Sequence, residues 1–287
     1  MHTFKEKILV VIIGLTLVMV SLATARAVAQ KDGLLKIYFL DVGQGDAILI
    51  EAPNGNQVLI DGGPDGKILS ELAKVMPFYD QSIDAVVVSH PHSDHITGLT
   101  EVLARYEVSN IIQANENYDS PTFRSWQAAV TAEHTHEMEA VAGTKIALAP
   151  EVILTIIHPF QSVAGTTTKT PHDDVVVAVL EYRSLRVLLT GDMEVKVERS
   201  LIGHGIDLRA DVLKIGHHGS STSTSEEFLE TVDPQVAVIE VGDKNRYHHP
   251  TTSVLDRLTN FQVQYYRTDV HGAITLLSNG ESFYINK

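Results

Sequence analysis

Three histidines and one aspartate lie within six residues, in the run His90-Pro91-His92-Ser93-Asp94-His95. Imidazole and carboxylate groups are ligands that zinc, manganese and iron accept in proteins. One histidine in a loop is usually incidental, whereas four such groups in so short a run predict a metal site. The chain contains no cysteine, so thiolate ligands are excluded, and an open hydrolytic site is favoured over a closed structural one.

The run that precedes this cluster, residues 83–89, is almost continuously apolar and β-branched, and it predicts a strand buried on both faces. Folds of the α/β class place their ligand sites at the ends of such strands. We therefore expect the strand to lead into a loop that turns several side chains toward one point. Upstream, turn residues separate predicted strands at 35–40, 47–52 and 57–60, and a helix is predicted over 67–75.

Downstream of the cluster, helices and strands alternate to the end of the chain. The predicted helices are residues 97–106, 121–134, 195–202, 225–231 and 253–260. The predicted strands are residues 110–113, 145–148, 152–158, 175–182, 186–189, 212–215, 236–241, 263–266 and 273–277. Two β-rich halves, each with its own helices, indicate an α/β fold in which stacked sheets are sandwiched between helices.

The composition fits a folded domain: of 287 residues, 44% are hydrophobic and 20% are charged. These fractions exclude a disordered chain and a protein with many membrane spans. We expect one domain over residues 30–287, because a single α/β domain of this length is common. The net charge of −14 repels polyanions at long range. It argues against a protein that coats nucleic acid, although a local patch can still accept a short phosphodiester.

The N-terminal segment differs from the rest. Lys5 and Lys7 precede an apolar run over residues 8–22, and Ala27-Val28-Ala29 follows with the small-x-small pattern of a signal-peptidase site. We interpret residues 1–29 as a signal peptide and expect an exported protein, periplasmic or extracellular. The alternative is an uncleaved anchor, which would be the only membrane contact, although the run is shorter than the roughly 20 apolar residues that span a bilayer.

The pattern His90-x-His92-x-Asp94-His95 resembles the signature of metallo-β-lactamase-fold hydrolases. Other motifs resemble one branch more closely, the soluble domain of ComEC-type DNA-uptake proteins and their free-standing exported relatives. These motifs are Phe39-Leu40-Asp41-Val42-Gly43-Gln44-Gly45-Asp46, Asp61-Gly62-Gly63, Leu189-Thr190-Gly191-Asp192, Leu213-Lys214-Ile215-Gly216-His217-His218-Gly219-Ser220, Asn245-Arg246-Tyr247-His248-His249-Pro250 and Thr268-Asp269-Val270-His271-Gly272-Ala273-Ile274. They span residues 35–280. The resemblance implies a four-layer αββα sandwich of two mixed β-sheets flanked by helices.

The resemblance also implies a site for two metal ions. His90, His92 and a third histidine would hold one ion, and Asp94, His95 and a fourth histidine the other, with a carboxylate bridging both. Asp192 is the bridging candidate because it follows an apolar strand and a glycine. The alternative is an aspartate that only shapes a turn.

The third and fourth histidines come from later motifs. His172 is the third, at a position where many ComEC-type members carry asparagine; the alternative is a loop histidine beside two aspartates. The fourth is His217 or His218, and the sequence does not say which. The resemblance places His249 near the metals, where it can stabilise charge on a substrate oxygen or protonate a leaving group; the alternative is a loop cap. Asp61 is a candidate brace for the ligands.

By this resemblance, the cofactors are two divalent ions, Zn²⁺ or alternatively Mn²⁺, that hold a hydroxide for attack on phosphorus or a carbonyl carbon. Asp94 and Asp192 would orient it, and His217, His218 or His249 would assist the leaving group. The expected substrate is a small-molecule or polymer phosphodiester, in nucleic acid or the cell envelope. The alternatives are a β-lactam or lactone hydrolase and a non-catalytic metal-binding accessory of an uptake or envelope machine.

Overall fold

The computed structural model describes residues 33–133 and 135–287. The predicted leader, residues 1–29, and His134 lie outside this part of the chain. In chain order the strands are β1 Leu35–Phe39, β2 Ile48–Glu51, β3 Gln57–Ile60, β4 Ser82–Val87, β5 Glu107–Gln113, β6 His136–Glu139, β7 Lys145–Ala149, β8 Val152–His158, β9 Val177–Tyr182, β10 Leu185–Leu189, β11 Val212–Lys214, β12 Val236–Ile239, β13 Gln264–Arg267, β14 Ile274–Ser278 and β15 Phe283–Asn286. The α-helices are α1 Lys67–Val75, α2 Ser93–Leu103, α3 Pro121–Glu133, α4 Val195–Gly203, α5 Glu226–Val232, α6 Thr252–Asn260 and α7 Thr268–His271.

The strands form two mixed sheets. The first has eight strands in the order β15-β14-β1-β2-β3-β4-β5-β6, and the second has seven in the order β13-β12-β11-β10-β9-β8-β7. In the first sheet the pairs are antiparallel from β15 to β3 and parallel from β3 to β6. In the second they are antiparallel from β7 to β10 and parallel from β10 to β13. Each sheet therefore gathers the carboxyl ends of its parallel strands at one edge.

Three hydrophobic cores separate four layers. One core lies between the sheets, a second between the first sheet and α1 to α3, and a third between the second sheet and α4 to α6. Strand β4 shows how the sequence produces this arrangement. Ala85 and Val87 face the core between the sheets, whereas Ile83 and Val86 face the helices. The predicted four-layer αββα sandwich is confirmed.

The structure departs from the sequence-based elements near the histidine cluster. We predicted the helix after the cluster from residue 97, but α2 begins at Ser93, so Asp94 and His95 lie in its first turn rather than in a loop. His92 is the N-cap residue, with an extended backbone, and its carbonyl accepts hydrogen bonds from the amides of His95 and Ile96. The helix itself thus fixes the directions of the two C-terminal members of the cluster.

Two edge strands were not predicted. Strand β6 has the sequence HEME and β15 has FYIN, and each lies at an outer edge of the first sheet. Each has only four residues, and just Met138 of β6 and Phe283 and Ile285 of β15 pack against the core between the sheets, so the periodic signal is too short to predict a strand. Within residues 33–133 and 135–287, none of the helices combines the length and apolar character needed to cross a bilayer.

Candidate metal centre

The predicted ligands come from both sheets and meet at one place. His90 and His92 follow β4, Asp192 follows β10, and His218 follows β11. His172 lies in a short 3₁₀ turn, Pro171–Asp173, that precedes β9. Although they are distant in sequence, these side chains offer ligand atoms that lie within 4.8 Å of one another in two groups.

We call one set the three-histidine group: His90, His92, His172 and Asp192. Nδ1 of His92 lies 2.9 Å from Nε2 of His90 and 3.1 Å from Nε2 of His172. Oδ2 of Asp192 lies 3.7 Å from Nε2 of His90 and 3.8 Å from Nε2 of His172. Three ring nitrogens and one carboxylate oxygen therefore converge on a single point, in the composition that zinc and related ions accept.

We call the other set the two-histidine group: Asp94, His95, Asp192 and His218. Nε2 of His95 lies 3.4 Å from Oδ2 of Asp192, and Nε2 of His218 lies 3.4 Å from Oδ1 of the same carboxylate. Nε2 of His218 also lies 3.5 Å from Oδ2 of Asp94. Asp192, the predicted bridging residue, is the member that these two groups share.

Buried atoms of the two-histidine group lack partners that a cation would supply. In the part of the chain that the structure describes, Nε2 of His95, Nε2 of His218 and Oδ1 of Asp192 are buried and have no hydrogen-bond partner. Leaving a buried polar atom unpaired costs about 1–3 kcal/mol. Because these atoms converge, one divalent ion would satisfy all three, and the residues present therefore fit a bound metal.

The two groups differ in charge. Burial opposes protonation of His95, but the carboxylates of Asp192 and Asp61 outweigh it and raise the pKa of His95 well above its ordinary value. At His218 the carboxylates of Asp192 and Asp46 likewise outweigh the effect of burial and raise the pKa to about 10. In return, His218 and His95 hold the pKa of Asp192 well below its ordinary value despite its burial. In the metal-free protein the two-histidine group therefore favours protonated imidazoles paired with ionised carboxylates.

The three-histidine group has the opposite tendency. Burial, with the neighbouring imidazole of His95, lowers the pKa of His90 well below its ordinary value. Burial and the imidazole of His172 lower the pKa of His92 to about 4. These rings are neutral at neutral pH, which is the form of imidazole that binds a metal ion.

The turn Gly216–Gly219 contains His217 and His218, the two candidates for the fourth histidine ligand, and it gives them different directions. His217 and His218 both have left-handed backbones, with φ of 48° and 54°, which is a strained conformation for residues other than glycine. A side chain at Gly219 would collide with Pro250, its Cβ falling 2.5 Å from that ring. This turn directs His218 into the two-histidine group and His217 toward His172 and Glu194.

A buried layer supports the two-histidine group. Oδ2 of Asp61 lies 2.8 Å from Nδ1 of His95, the position expected for a brace. Nδ1 of His218 lies 2.9 Å from the carbonyl of Glu240 and 3.3 Å from Oδ1 of Asp46. Fully buried Lys214 donates to the other oxygen of Asp46. Burial disfavours the charge of Lys214, but Asp46 and Asp192 outweigh this and raise its pKa.

Three residues that support the site were not predicted as such from the sequence: Glu194, Lys214 and Glu240. Glu194 lies two residues after Asp192, and its carboxylate contacts both His172 and His217. Lys214 lies in one of the quoted motifs, three residues before His217. An acidic residue so close to the bridging candidate was the available signal for Glu194. An isolated lysine between apolar residues of a predicted strand was the signal for Lys214.

A cleft of about 340 Å³ opens over both groups. Its walls include Ser93, Tyr118 and Tyr247, and His249 lies in it without belonging to either ligand group. The ring of His249 stacks on Tyr247 at 5.7 Å between centroids. Burial, with the neighbouring imidazole of His217, lowers the pKa of His249 to about 4. His249 is therefore a neutral ring at the mouth of the site.

A family model described as the metallo-beta-lactamase superfamily matches residues 40–242. The match includes every residue of both ligand groups. The chain belongs to the metallo-beta-lactamase superfamily. The predicted resemblance to ComEC-type proteins is also confirmed by curated relatives of this superfamily member. It is 28% identical to ComE operon protein 3 of Bacillus subtilis (strain 168), over 83% of this chain and 32% of the relative.

Two further relatives extend the comparison. Recombination protein 2 of Haemophilus influenzae is 31% identical over 82% of this chain and 28% of its own length. Exodeoxyribonuclease WalJ of Streptococcus pneumoniae is 25% identical over 35% of this chain and 37% of its own length. This chain thus spans about a third of the length of each of these relatives.

A solved structure also shares the fold. CmlA, a diiron beta-hydroxylase from Streptomyces venezuelae, matches with a TM-score of 0.52 and 12% identity, over 84% of this chain and 54% of CmlA. At this identity the likeness concerns the fold alone. It also shows that the fold carries more than one kind of chemistry, so the reaction has to be argued from the site.

Proposed function

We propose that the protein is an exported, dinuclear metal-dependent hydrolase that acts on phosphodiester bonds. The observation that carries this proposal is the sharing of Asp192 between two complete ligand groups. A pair of ions held by one carboxylate is the arrangement that many phosphatases and nucleases use to clamp the oxygens of a phosphoryl centre. A structural metal site, in contrast, is usually closed and mononuclear.

The proposed ligand assignment follows the two groups. His90, His92 and His172 would hold one ion, Asp94, His95 and His218 would hold the other, and Asp192 would be shared by both, with His217 a supplementary contact on the three-histidine side. When bound, two divalent ions, Zn²⁺ or alternatively Mn²⁺, polarise a phosphoryl oxygen and lower the pKa of a water molecule.

The chain itself supplies orientation and hydrogen bonding. Asp94 and Asp192 are the carboxylates of the two-histidine group, and their oxygens, beside Nε2 of His218, can accept a hydrogen bond from an attacking water. His249 is neutral at neutral pH because its pKa is lowered to about 4. We therefore assign it the donation of a hydrogen bond to a substrate oxygen rather than the delivery of a proton. No nucleophilic side chain is required.

Three observations support a phosphodiester as the substrate, in a small molecule or in a polymer. The sequence motifs resemble those of ComEC-type proteins, and one relative is named an exodeoxyribonuclease. The cleft is open to the surface, which suits an ester within a longer molecule. The net charge of −14 opposes a stable coat on nucleic acid. The leader-like residues 1–29 support export, in the periplasm or outside the cell.

The experiment combines metal analysis with a substrate screen. Purified protein is assayed with Zn²⁺ and separately with Mn²⁺ against bis-p-nitrophenyl phosphate, single-stranded DNA, a β-lactam and a lactone. We expect about two metal ions per chain and turnover of the phosphodiesters, with activity lost in His92→Ala. His136→Ala is the matched control, because His136 is an exposed histidine on edge strand β6.

Each other outcome contradicts part of the proposal. Turnover of the β-lactam or lactone alone would make the protein a hydrolase of that class. Two bound ions without turnover of any substrate would favour a metal-binding accessory. Export is tested separately by N-terminal sequencing of the protein from periplasmic and medium fractions: a chain that begins near residue 30 supports the leader, and an intact N-terminus on a cytoplasmic protein contradicts it.

A further inference from the structure

We propose that Glu194 is a positioning residue that orients two imidazoles of the site, those of His172 and His217. The inference rests on the proposed function, because His172 is a proposed metal ligand. Glu194 belongs to neither of the two ligand groups that share Asp192. It lies instead on the outer side of the histidines, where a carboxylate can fix the direction of a ring without touching the metal.

One oxygen of Glu194 contacts the Nδ1 atoms of two different histidines. Its Oε1 lies 3.2 Å from Nδ1 of His217 and 3.5 Å from Nδ1 of His172. The two rings are 4.5 Å apart between centroids and inclined at 61°, so both edges meet at this carboxylate. A single carboxylate thus lies against the outward nitrogen of two neighbouring histidines.

The opposite nitrogens face the site. Nε2 of His172 lies 3.1 Å from Nδ1 of His92 and 3.8 Å from Oδ2 of Asp192. Nε2 of His217 lies 3.8 Å from the same oxygen of Asp192. A neutral imidazole has one N–H group, and a carboxylate beside Nδ1 keeps the hydrogen on that atom. Both Nε2 lone pairs are then directed toward Asp192, as metal binding requires.

Glu194 is itself held in place. It is the N-cap residue of α4, where a carboxylate is favoured by the helix dipole. The hydroxyl of Thr222 donates to its Oε1 at 2.8 Å, and the amide of Val195 donates to the carbonyl of Thr222 at 2.9 Å. These contacts join the segment after β10 to the segment after β11. Glu194 therefore couples the histidine turn to the loop that carries Asp192.

This arrangement gives His217 a defined role. Its neighbour His218 belongs to the two-histidine group, whereas His217 presents its Nε2 beside that of His172. We assign His217 as a supplementary nitrogen on the three-histidine side of the site, available to the ion there. The competing interpretation is a third metal site formed by His172, Glu194 and His217, whose ligand atoms also lie within 4.8 Å of one another.

The test measures metal affinity by competition with a chelator, which needs no substrate. We expect Glu194→Ala to weaken one of two metal equivalents by about 10- to 100-fold, the usual effect of removing an outer carboxylate. Glu194→Gln should restore part of the affinity, because its amide oxygen still accepts a hydrogen bond. Asp173→Asn is the matched control. Asp173 is next to His172 in the sequence, but its carboxylate is bonded to Lys196 and Thr170. The variant should leave both affinities within about twofold, as a surface pair contributes little.

A second measurement separates orientation from folding. Long-range ¹H–¹⁵N spectra of the metal-free protein report which ring nitrogen carries the hydrogen. We expect Nδ1–H signals for His172 and His217 in the wild type, with mixed tautomers in Glu194→Ala. Unchanged tautomers and unchanged affinity would overturn the proposal, and a third metal equivalent that disappears in both Glu194 variants would replace it with a three-metal site. Failure of the proposed function instead appears as two tightly bound ions without turnover, an outcome that leaves the affinity test intact.

Discussion

The two ligand groups share Asp192 but are supported in different ways. Behind the two-histidine group lie buried charged side chains: Asp61 contacts His95, and Asp46, paired with Lys214, contacts His218. Behind the three-histidine group, the contacts of Nδ1 are the hydroxyl of Ser89 for His90 and the carboxylate of Glu194 for His172. One group is supported by a buried ionic layer, and the other by a buried hydroxyl and a partly exposed carboxylate.

Burial alone does not separate the groups, because each contains both hidden and accessible ligands. The side chains of His90 and His95 are 0% exposed, whereas those of His172 and Asp94 are 20% and 29% exposed. Charge does separate them. The pKa of His218 is raised to about 10 by carboxylates, whereas that of His92 is lowered to about 4 by burial and other imidazoles. The same residue types therefore form two sites of different electrostatic character.

The largest effect should come from the residue common to both groups. We expect Asp192→Ala to abolish the binding of both ions. The accompanying loss of several kcal/mol of transition-state stabilisation should lower kcat/KM by at least about 1,000-fold. Metal analysis and hydrolysis of bis-p-nitrophenyl phosphate check this. Asp243→Ala removes a 70%-exposed aspartate and serves as the control. Retention of one ion at full affinity would show that the groups are independent rather than joined.

The ionic layer behind the two-histidine group should be the next most sensitive. Lys214→Met removes one member of a fully buried pair and leaves Asp46 charged in the interior, so we expect the free energy of unfolding to fall by about 3–5 kcal/mol. Chemical denaturation of the metal-free proteins measures the change. Lys196→Met is the matched variant near the other group: Lys196 is 74% exposed and pairs with Asp173 at 2.7 Å. It should cost about 0–1 kcal/mol, and equal losses would contradict the contrast.

The brace on His95 gives a smaller and more selective prediction. Asp61 has a left-handed backbone, φ 58°, which asparagine tolerates, so Asp61→Asn changes the charge without forcing the turn. We expect affinity for the ion of the two-histidine group to fall by about 10- to 100-fold while the other ion is retained. Chelator competition with both ions resolves the two constants. Equal weakening of both ions would show that Asp61 shapes the whole site.

Most of the fold could be predicted because apolar periodicity survives in the sequence. Strand β4, buried on both faces, was placed within one or two residues at each end. Edge strands β6 and β15 could not be predicted, since each has only four residues and at most two apolar side chains packed on the core, too few to show a period. The start of α2 was misplaced because the helix begins inside the metal motif, where histidine and aspartate serve chemistry rather than propensity.

The candidate ligands could be named from motifs, but their partners could not. Lys214 and Asp46 are 168 residues apart, and only the packing of the two sheets brings them together. Which of His217 and His218 enters the two-histidine group depends on the left-handed backbone of both residues, a conformation that no local sequence pattern predicts. Glu194 contacts His217 across 23 residues. Long-range contacts of polar side chains are thus the part that a single sequence leaves open.

The pH dependence of metal binding should also differ between the two groups. In the metal-free protein the pKa of His95 is raised well above its ordinary value and that of His218 is raised to about 10, so at neutral pH a metal ion must displace protons from these rings. Affinity for the two-histidine group should therefore rise about tenfold per pH unit for each proton displaced. The pKa of His90 and His92 is lowered, so these two rings should add little to the pH dependence of metal affinity from pH 6 to 8.

Isothermal titration in buffers of different ionisation enthalpy, at pH 6, 7 and 8, measures both the affinities and the protons released. Asp61→Asn provides the internal control. Removing its carboxylate removes one of the two charges that raise the pKa of His95 most, so proton release at pH 8 should decrease in this variant alone. Equal slopes for the two ions would mean that the charge contrast disappears on binding. In that case the ionic layer would affect the stability of the fold but not the difference in affinity between the two ions.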